Sequence, residues 1–163
     1  MTKLDKLEKI KKKLSLPVIA APMFLVSGPS LVINACKAGI VGSFPGPNAR
    51  SIQDLKNWFK KISDALSENN APWAFNMITH TSYGRFDAEI ELVEQFKPQI
   101  VITALGGPHR VIPQVHKYGG IVFADVNSPT FAKKAIEKGA DGLVLVCSGA
   151  GGHTGEYAII PFV

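Results

Sequence analysis

The residues best suited to chemistry lie in one short run, Cys147-Ser-Gly-Ala-Gly-Gly-His153-Thr-Gly155. Gly149, Gly151, Gly152 and Gly155 can take backbone conformations that other residues resist, and they let a chain pass close to a planar ligand. His153 stands among them, and an imidazole can take or give a proton near neutral pH. The competing reading is a loop histidine bonded to a backbone carbonyl. The run is not a dinucleotide fingerprint: counted from Gly149, the third required glycine falls on Thr154.

Other candidates are scattered along the chain. In LPVIAAPMFLVSGPS (residues 16–30), Pro22 ends an apolar run and Met23 follows it. A methionine there could lay a soft, polarisable side chain against a ring system, or simply fill a gap in an ordinary turn. Gly28 and a capping Ser27 could shape a tight approach. Asn76 interrupts the apolar run AFNMI, and a buried amide needs partners. Those could be the edge of a heterocycle or a neighbouring loop. Asp125 in FADVN, with Asn127 close by, ends another run. Acids in that position serve function in many barrels, but an Asp also caps its own loop, which is the favoured reading. In ALGGPHR, Gly106 and Gly107 could bring backbone near a ligand, and Arg110 could hold an anion or begin a helix. His80 could line the same mouth, and His116 reads as a helix-surface or satisfied residue. With His109 they form no ligand spacing with any carboxylate pair, so no metal site is expected.

Short runs rich in Val, Ile and Ala alternate with helical patterns from end to end. That alternation marks βαβ units around a parallel sheet covered on both faces. Strands are expected at 17–21, 40–43, 73–78, 99–104, 121–124 and 142–146. Helices are expected at 29–38, from the Ser51 cap to 67, at 87–96 and 109–117, and from the Ser128 cap to 138. Candidate residues follow strands one, three, five and six rather than one switch point, and no GxGxxG follows the first strand. Both features favour an α/β fold of the (β/α)₈ TIM-barrel type over an open doubly wound sheet. About six of the eight βα units are expected in this chain, with residues 16–163 an incomplete barrel. An unclosed barrel exposes strand edges and its apolar interior. The chain by itself is therefore expected to be marginal, oligomeric or aggregation-prone.

Composition supports a packed core: 46% of residues are apolar and 19% charged, which excludes disorder. No apolar run reaches the roughly 20 residues of a membrane-spanning helix. Of the +5 net charge, +4 comes from residues 1–13, where six lysines face Asp5 and Glu8. The basicity is local and does not describe a nucleic-acid-binding stripe. Leu4, Leu7, Ile10 and Leu14 recur there at helical spacing, which predicts an N-terminal amphipathic helix, residues 1–15, capping the barrel under its first strand. The segment lacks the apolar region of a secretory signal and the arginines of a mitochondrial one. The two cysteines, Cys36 and Cys147, suit neither a redox pair nor a zinc site, and Cys36 reads as a buried small hydrophobe. A reducing, cytoplasmic setting is expected.

Three motifs give the chain its resemblance to the nitronate monooxygenase (2-nitropropane dioxygenase) family: LPVIAAPM at 16–23, FNMI at 75–78 and VCSGAGGHTG at 146–155. The likeness runs from about Ser15 onward. It implies a TIM-barrel flavin domain binding FMN non-covalently at its C-terminal mouth, and oxidation of alkyl nitronates by O₂ to a carbonyl compound and nitrite. It implies that His153 is the catalytic histidine, a base toward neutral nitroalkanes that also helps place the anionic nitronate. Pro22, Met23 and Asn76 would line the flavin, with Gly151 and Gly152 beside it. The FMN phosphate would be held by loops after strands seven and eight, beyond residue 163. The chain also resembles flavin-dependent enoyl-acyl-carrier-protein reductase around AGGH, which would use NAD(P)H and an acyl thioester. A third reading is an inactive or split-barrel fragment. It would be completed by a homo-oligomer or by a partner supplying the missing strands. The expected partners are otherwise the alkyl nitronate and O₂, with no nucleic acid and no membrane.

Overall fold

Six strands lie side by side in chain order in one parallel sheet: β1 (Ile19–Ala20), β2 (Val41–Pro45), β3 (Trp73–Ile78), β4 (Ile100–Ala104), β5 (Ile121–Val126) and β6 (Gly142–Leu145). Each crossover carries a helix: α2 (Pro29–Lys37), α3 (Ile52–Ala65), α4 (Phe86–Phe96), α5 (Ile112–Lys117) and α6 (Pro129–Glu137). Helix α1 (Lys3–Lys11) precedes them and the short α7 (Ile159–Phe162) follows β6. An order that never reverses is that of a barrel, since a doubly wound sheet has a switch point. The sheet curls into part of a (β/α)₈ barrel. This computed structural model describes residues 3–150 and 153–163.

Strand alternation sorts the side chains into two cores. Trp73, Phe75 and Met77 of β3 join Phe44, Val101 and Val122 under the helices, while Val41, Ala74, Ile100, Ile102 and Ile121 face the barrel interior. The outer core is aromatic: Phe59 of α3 meets Phe75 edge-on at 4.8 Å between ring centroids and Trp73 at 5.1 Å. Helix α3 begins where the sequence predicts, because Ser51 and Asp54 form a reciprocal capping box. Leu7, Ile10 and Leu14 pack against the interior cluster supplied by β2 to β5, rather than specifically under the first strand. Leu4 stands out of that stripe at 73% exposure.

Three boundaries depart from the sequence reading for backbone reasons. The first strand pairs over only two residues, Ile19 with Val41 and Ala20 with Gly42. Pro17 and Pro22 flank them, and proline has no N–H to give a ladder. The expected helix at 109–117 is split into a 3₁₀ turn, Pro108–Arg110, and α5, with Pro113 in the first turn of the latter. Strand β5 runs on to Val126, so Asp125 lies within the sheet.

Cys36 shows how tightly α2 sits on β2. Its thiol donates to Pro72 O at 3.3 Å and accepts from Gly42 N at 3.4 Å. Burial pushes the thiol up to about 11, so it stays protonated and behaves as a small buried hydrophobe. No helix among the described residues is long and apolar enough to cross a membrane. Among the same residues no three His, Cys, Asp or Glu side chains converge to hold a metal ion.

Candidate functional site

Parallel strands carry all their C-terminal ends to one side, and the candidate residues follow them there. Register aligns Pro45, Asn76, Ile102, Phe123 and Gly142 across the sheet. Alternation turns Asn76 inward with Ala74, so the amide lies at the inner wall near the mouth. Asn76 is buried and its Nδ2 donates to Ile102 O at 3.2 Å. Among the described residues its Oδ1 accepts no hydrogen bond.

Asp125, in register with Val144, comes two residues further toward the mouth than Phe123 and on the same face. Its Oδ1 is buried and, among the described residues, has no hydrogen-bond partner. The favoured expectation that this carboxylate caps its own loop is therefore not met: among the described residues no backbone N–H donates to it. Burial lifts its carboxyl to about 6, and the nearby His153 pulls against that rise. Strand five and the loop after strand six thus bring an acid and an imidazole within electrostatic reach.

That loop is held closed at its base. Gly155 N and Thr154 Oγ1 both donate to Cys147 O, at 3.2 and 3.1 Å, and Ser148 N donates to Tyr157 O at 2.7 Å. A Cβ on Gly155 would overlap Val146 O, so the closure needs glycine. His153 is exposed, and among the described residues its ring makes no hydrogen bond. Gly151 and Gly152 lie outside the described residues.

On the opposite wall, Pro22 and Met23 begin the loop after β1, both partly buried. Ser27 is buried there and its hydroxyl accepts from Met23 N at 3.0 Å. Ser27 closes this loop, while Gly28 is the N-cap of α2. The crest Phe24-Leu25-Val26 is exposed, as is Leu105 on the loop after β4. Gly106 is pressed on the end of β3: a Cβ there would stand 2.6 Å from Thr79 C. Thr79 Oγ1 is buried and has no hydrogen-bond partner among the described residues.

Arg110 is partly engaged at the mouth. Its guanidinium lies 3.6 Å from the centroid of the Phe86 ring, and Nη1 donates to Thr79 O at 3.1 Å and His80 O at 3.2 Å. His80 is exposed and bonds Ser82 Oγ at 2.7 Å. His116 pairs with Asp141 at 2.7 Å, and Asp141, just before β6, also accepts from Val122 N. That pair sits at the N-terminal ends of the strands, away from the mouth.

The residues gathered at the mouth suit a planar, mostly apolar ring with polar edges. They offer an exposed apolar crest, an amide with its oxygen open, and a carboxyl oxygen with no partner. An isoalloxazine fits that description. For the phosphate of FMN these residues offer the Arg110 guanidinium beyond its engaged Nη1. Two contributors escaped the sequence reading. Asn48, in the turn after β2, makes three hydrogen bonds to the loop after β1. Glu89, which looks like an ordinary first-turn acid of α4, is wholly buried.

Comparison with known proteins bears on this geometry. Residues 47–160 match the family model for nitronate monooxygenase. The chain is 25% identical to a nitronate monooxygenase of Neurospora crassa, over 90% of this chain and 47% of that protein. It is 26% identical to (3aS,4S,5R,7aS)-5-hydroxy-7a-methyl-1-oxo-octahydro-1H-indene-4-carboxyl-CoA dehydrogenase of Rhodococcus jostii, over 87% of this chain and 38% of that protein. FabK from Thermotoga maritima superposes with a TM-score of 0.81 at 23% identity, covering 97% of this chain and 47% of that one. The chain therefore spans less than half the length of the curated relatives it matches. A family model that accounts for most of the residues, together with the barrel order of the strands, leads to one conclusion: the chain belongs to the nitronate monooxygenase family.

Proposed function

We propose that this chain forms the flavin-facing wall of an oxidoreductase that uses FMN and O₂ to convert alkyl nitronates to a carbonyl compound and nitrite. The observation that carries the proposal is the inner-face Asp125, its buried oxygen unpaired, within electrostatic reach of His153 and one layer above Asn76. Family membership supports it.

In this reading His153 takes the proton from the carbon that bears the nitro group of a neutral nitroalkane. The imidazolium so formed holds the nitronate anion in place. Asp125, ionised above about pH 6, favours that imidazolium. Asn76 offers its amide to a ring edge, while Pro22 and Met23 bound the ring's face. Gly151 and Gly152 give the backbone room beside it. The Phe24-Leu25-Val26 crest keeps water from the reacting face. When bound, FMN supplies the redox chemistry that links nitronate to O₂. Residues 1–15 serve as a cap on the N-terminal end of the barrel made by residues 16–163.

A second reading has one observation in its favour: a relative named for a carboxyl-CoA compound and for dehydrogenase activity. It is a reductase or dehydrogenase of acyl thioesters. An oxygen electrode coupled to nitrite detection separates the two. With FMN and propane-2-nitronate, the nitronate reading predicts O₂ uptake with nitrite release. NADH oxidation dependent on an enoyl thioester, with no nitrite from the nitronate, would replace it with the second.

A further inference from the structure

We propose that Asn48 is a positioning residue: its amide, anchored on a buried Glu89 cluster, fixes the shape of the loop after β1 and with it the surface offered to a bound flavin. The ligand in this proposal rests on the flavin reading above; the shaping of the loop does not.

The geometry uses every arm of the amide. Nδ2 donates to Met23 O at 3.0 Å and to Ser27 O at 2.7 Å, while Oδ1 accepts from Leu25 N at 2.9 Å. Asn48 is thus bonded to three backbone groups across one five-residue loop. At the centre of that loop Leu25 has φ 63°, a left-handed conformation that disfavours a branched L-residue. Its N–H is the one that Asn48 accepts. The loop's own bonds, Val26 N and Ser27 N to Met23 O, share their acceptor with Asn48 Nδ2. A cross-loop amide therefore holds a turn that its own sequence does not favour.

A tripod works only if its foot is fixed. Asn48 ends the 3₁₀ turn Gly46–Asn48. Gly46 sits on the buried carboxylate: a Cβ there would stand 3.0 Å from Glu89 Oε2 and from Phe75 Cζ. On the other side, Arg85 Nη1 donates to Ala49 O at 2.9 Å. Glu89 in turn holds Arg85 Nε at 3.1 Å and accepts from Tyr83 OH at 2.7 Å. The loops after β1, β2 and β3 are thereby linked into one mouth. Met23, the residue expected against a ring face, is bonded at both N–H and C=O within that link.

The test compares the wild-type chain with Asn48→Ala and Asn48→Asp, by amide hydrogen exchange and by flavin titration. Aspartate keeps the acceptor for Leu25 N but turns two donated bonds into carboxylate–carbonyl repulsion, so it is expected to be no better than alanine. Exchange at residues 25–27 should quicken on the order of tenfold, as expected for losing bonds of ordinary net strength. Amides of β3 and β4 should be unchanged. The dissociation constant for flavin should weaken by a similar factor. Unchanged exchange at 25–27 overturns the proposal, and so does faster exchange with flavin affinity intact. Equal acceleration in β3 and β4 also overturns it, because Asn48 would then be a general stabiliser. If the wild-type chain takes up no flavin, the ligand part of the proposal fails with the flavin reading. The exchange data then show separately whether Asn48 shapes the loop.

Discussion

Replacing His153 by asparagine should lower turnover of a neutral nitroalkane by about 10²–10⁴-fold, the usual worth of a positioned general base, while preformed nitronate is turned over with a much smaller loss. Asparagine keeps a polar side chain of similar reach but cannot accept a proton at neutral pH. A neutral nitroalkane must lose its α-proton first, whereas the nitronate has already lost it. The difference between the substrates isolates the proton transfer from binding. Equal loss on both substrates would contradict the base role and leave His153 as a positioning group. Asp125 adds a pH signature. Its carboxyl is held at about 6, so the counter-charge that favours imidazolium disappears as pH falls through that value. Wild-type turnover of the neutral substrate should fall there. For stability the sign is opposite. A carboxyl raised above its ordinary range contributes stability at low pH that is lost as pH rises through about 6.

Replacing Gly42 by alanine should destabilise the fold by about 3 kcal/mol, the upper part of the range for overpacking a tight core. Gly42 lies in β2 where α2 crosses it. A Cβ there would stand 2.5 Å from Val32 O and 2.7 Å from Val32 Cα. Both atoms are backbone, so no side chain can swing aside. Helix α2 would have to lift from the strand, breaking the Gly42 N–Cys36 Sγ contact and loosening Val32 and Cys36, both now buried. In a chain of this size the midpoint of thermal unfolding should drop by roughly 10 °C. A variant melting within a degree or two of wild type would show that α2 and β2 pack less closely than described.

The strands were legible in the sequence because β3, β4 and β5 are apolar on both faces, which few other elements are. Asn76 could be singled out because it breaks such a run. His153 was conspicuous because only small residues surround it. What could not be read was whatever depends on register or on distant loops. Asp125 faces inward only because β5 continues to Val126 and pairs with β6 there; from the sequence alone a loop cap was the favoured reading. Asn48 was hidden because its partners lie 21 to 25 residues away, in a loop with no local signal for it. Glu89 occupies an ordinary acid position of a helical first turn, and only the fold shows it shut in with Tyr83 and Arg85. Arg110, an anion holder by type, also stacks on Phe86 and bonds two carbonyls through Nη1, contacts that only the fold shows.

The most direct test of the account is where flavin binds. Hydrogen exchange of the chain, with and without added FMN, should show protection at residues 22–27, at 76–79 and in the loop 147–157. Those segments are the mouth as built from Met23, Asn76 and His153. Protection instead around the lysine-rich cavity at the other end of the barrel, lined by Lys6, Lys9, Lys13, Lys97 and Tyr118, would mean that FMN is drawn by its phosphate alone. That outcome would contradict a flavin site at the C-terminal mouth.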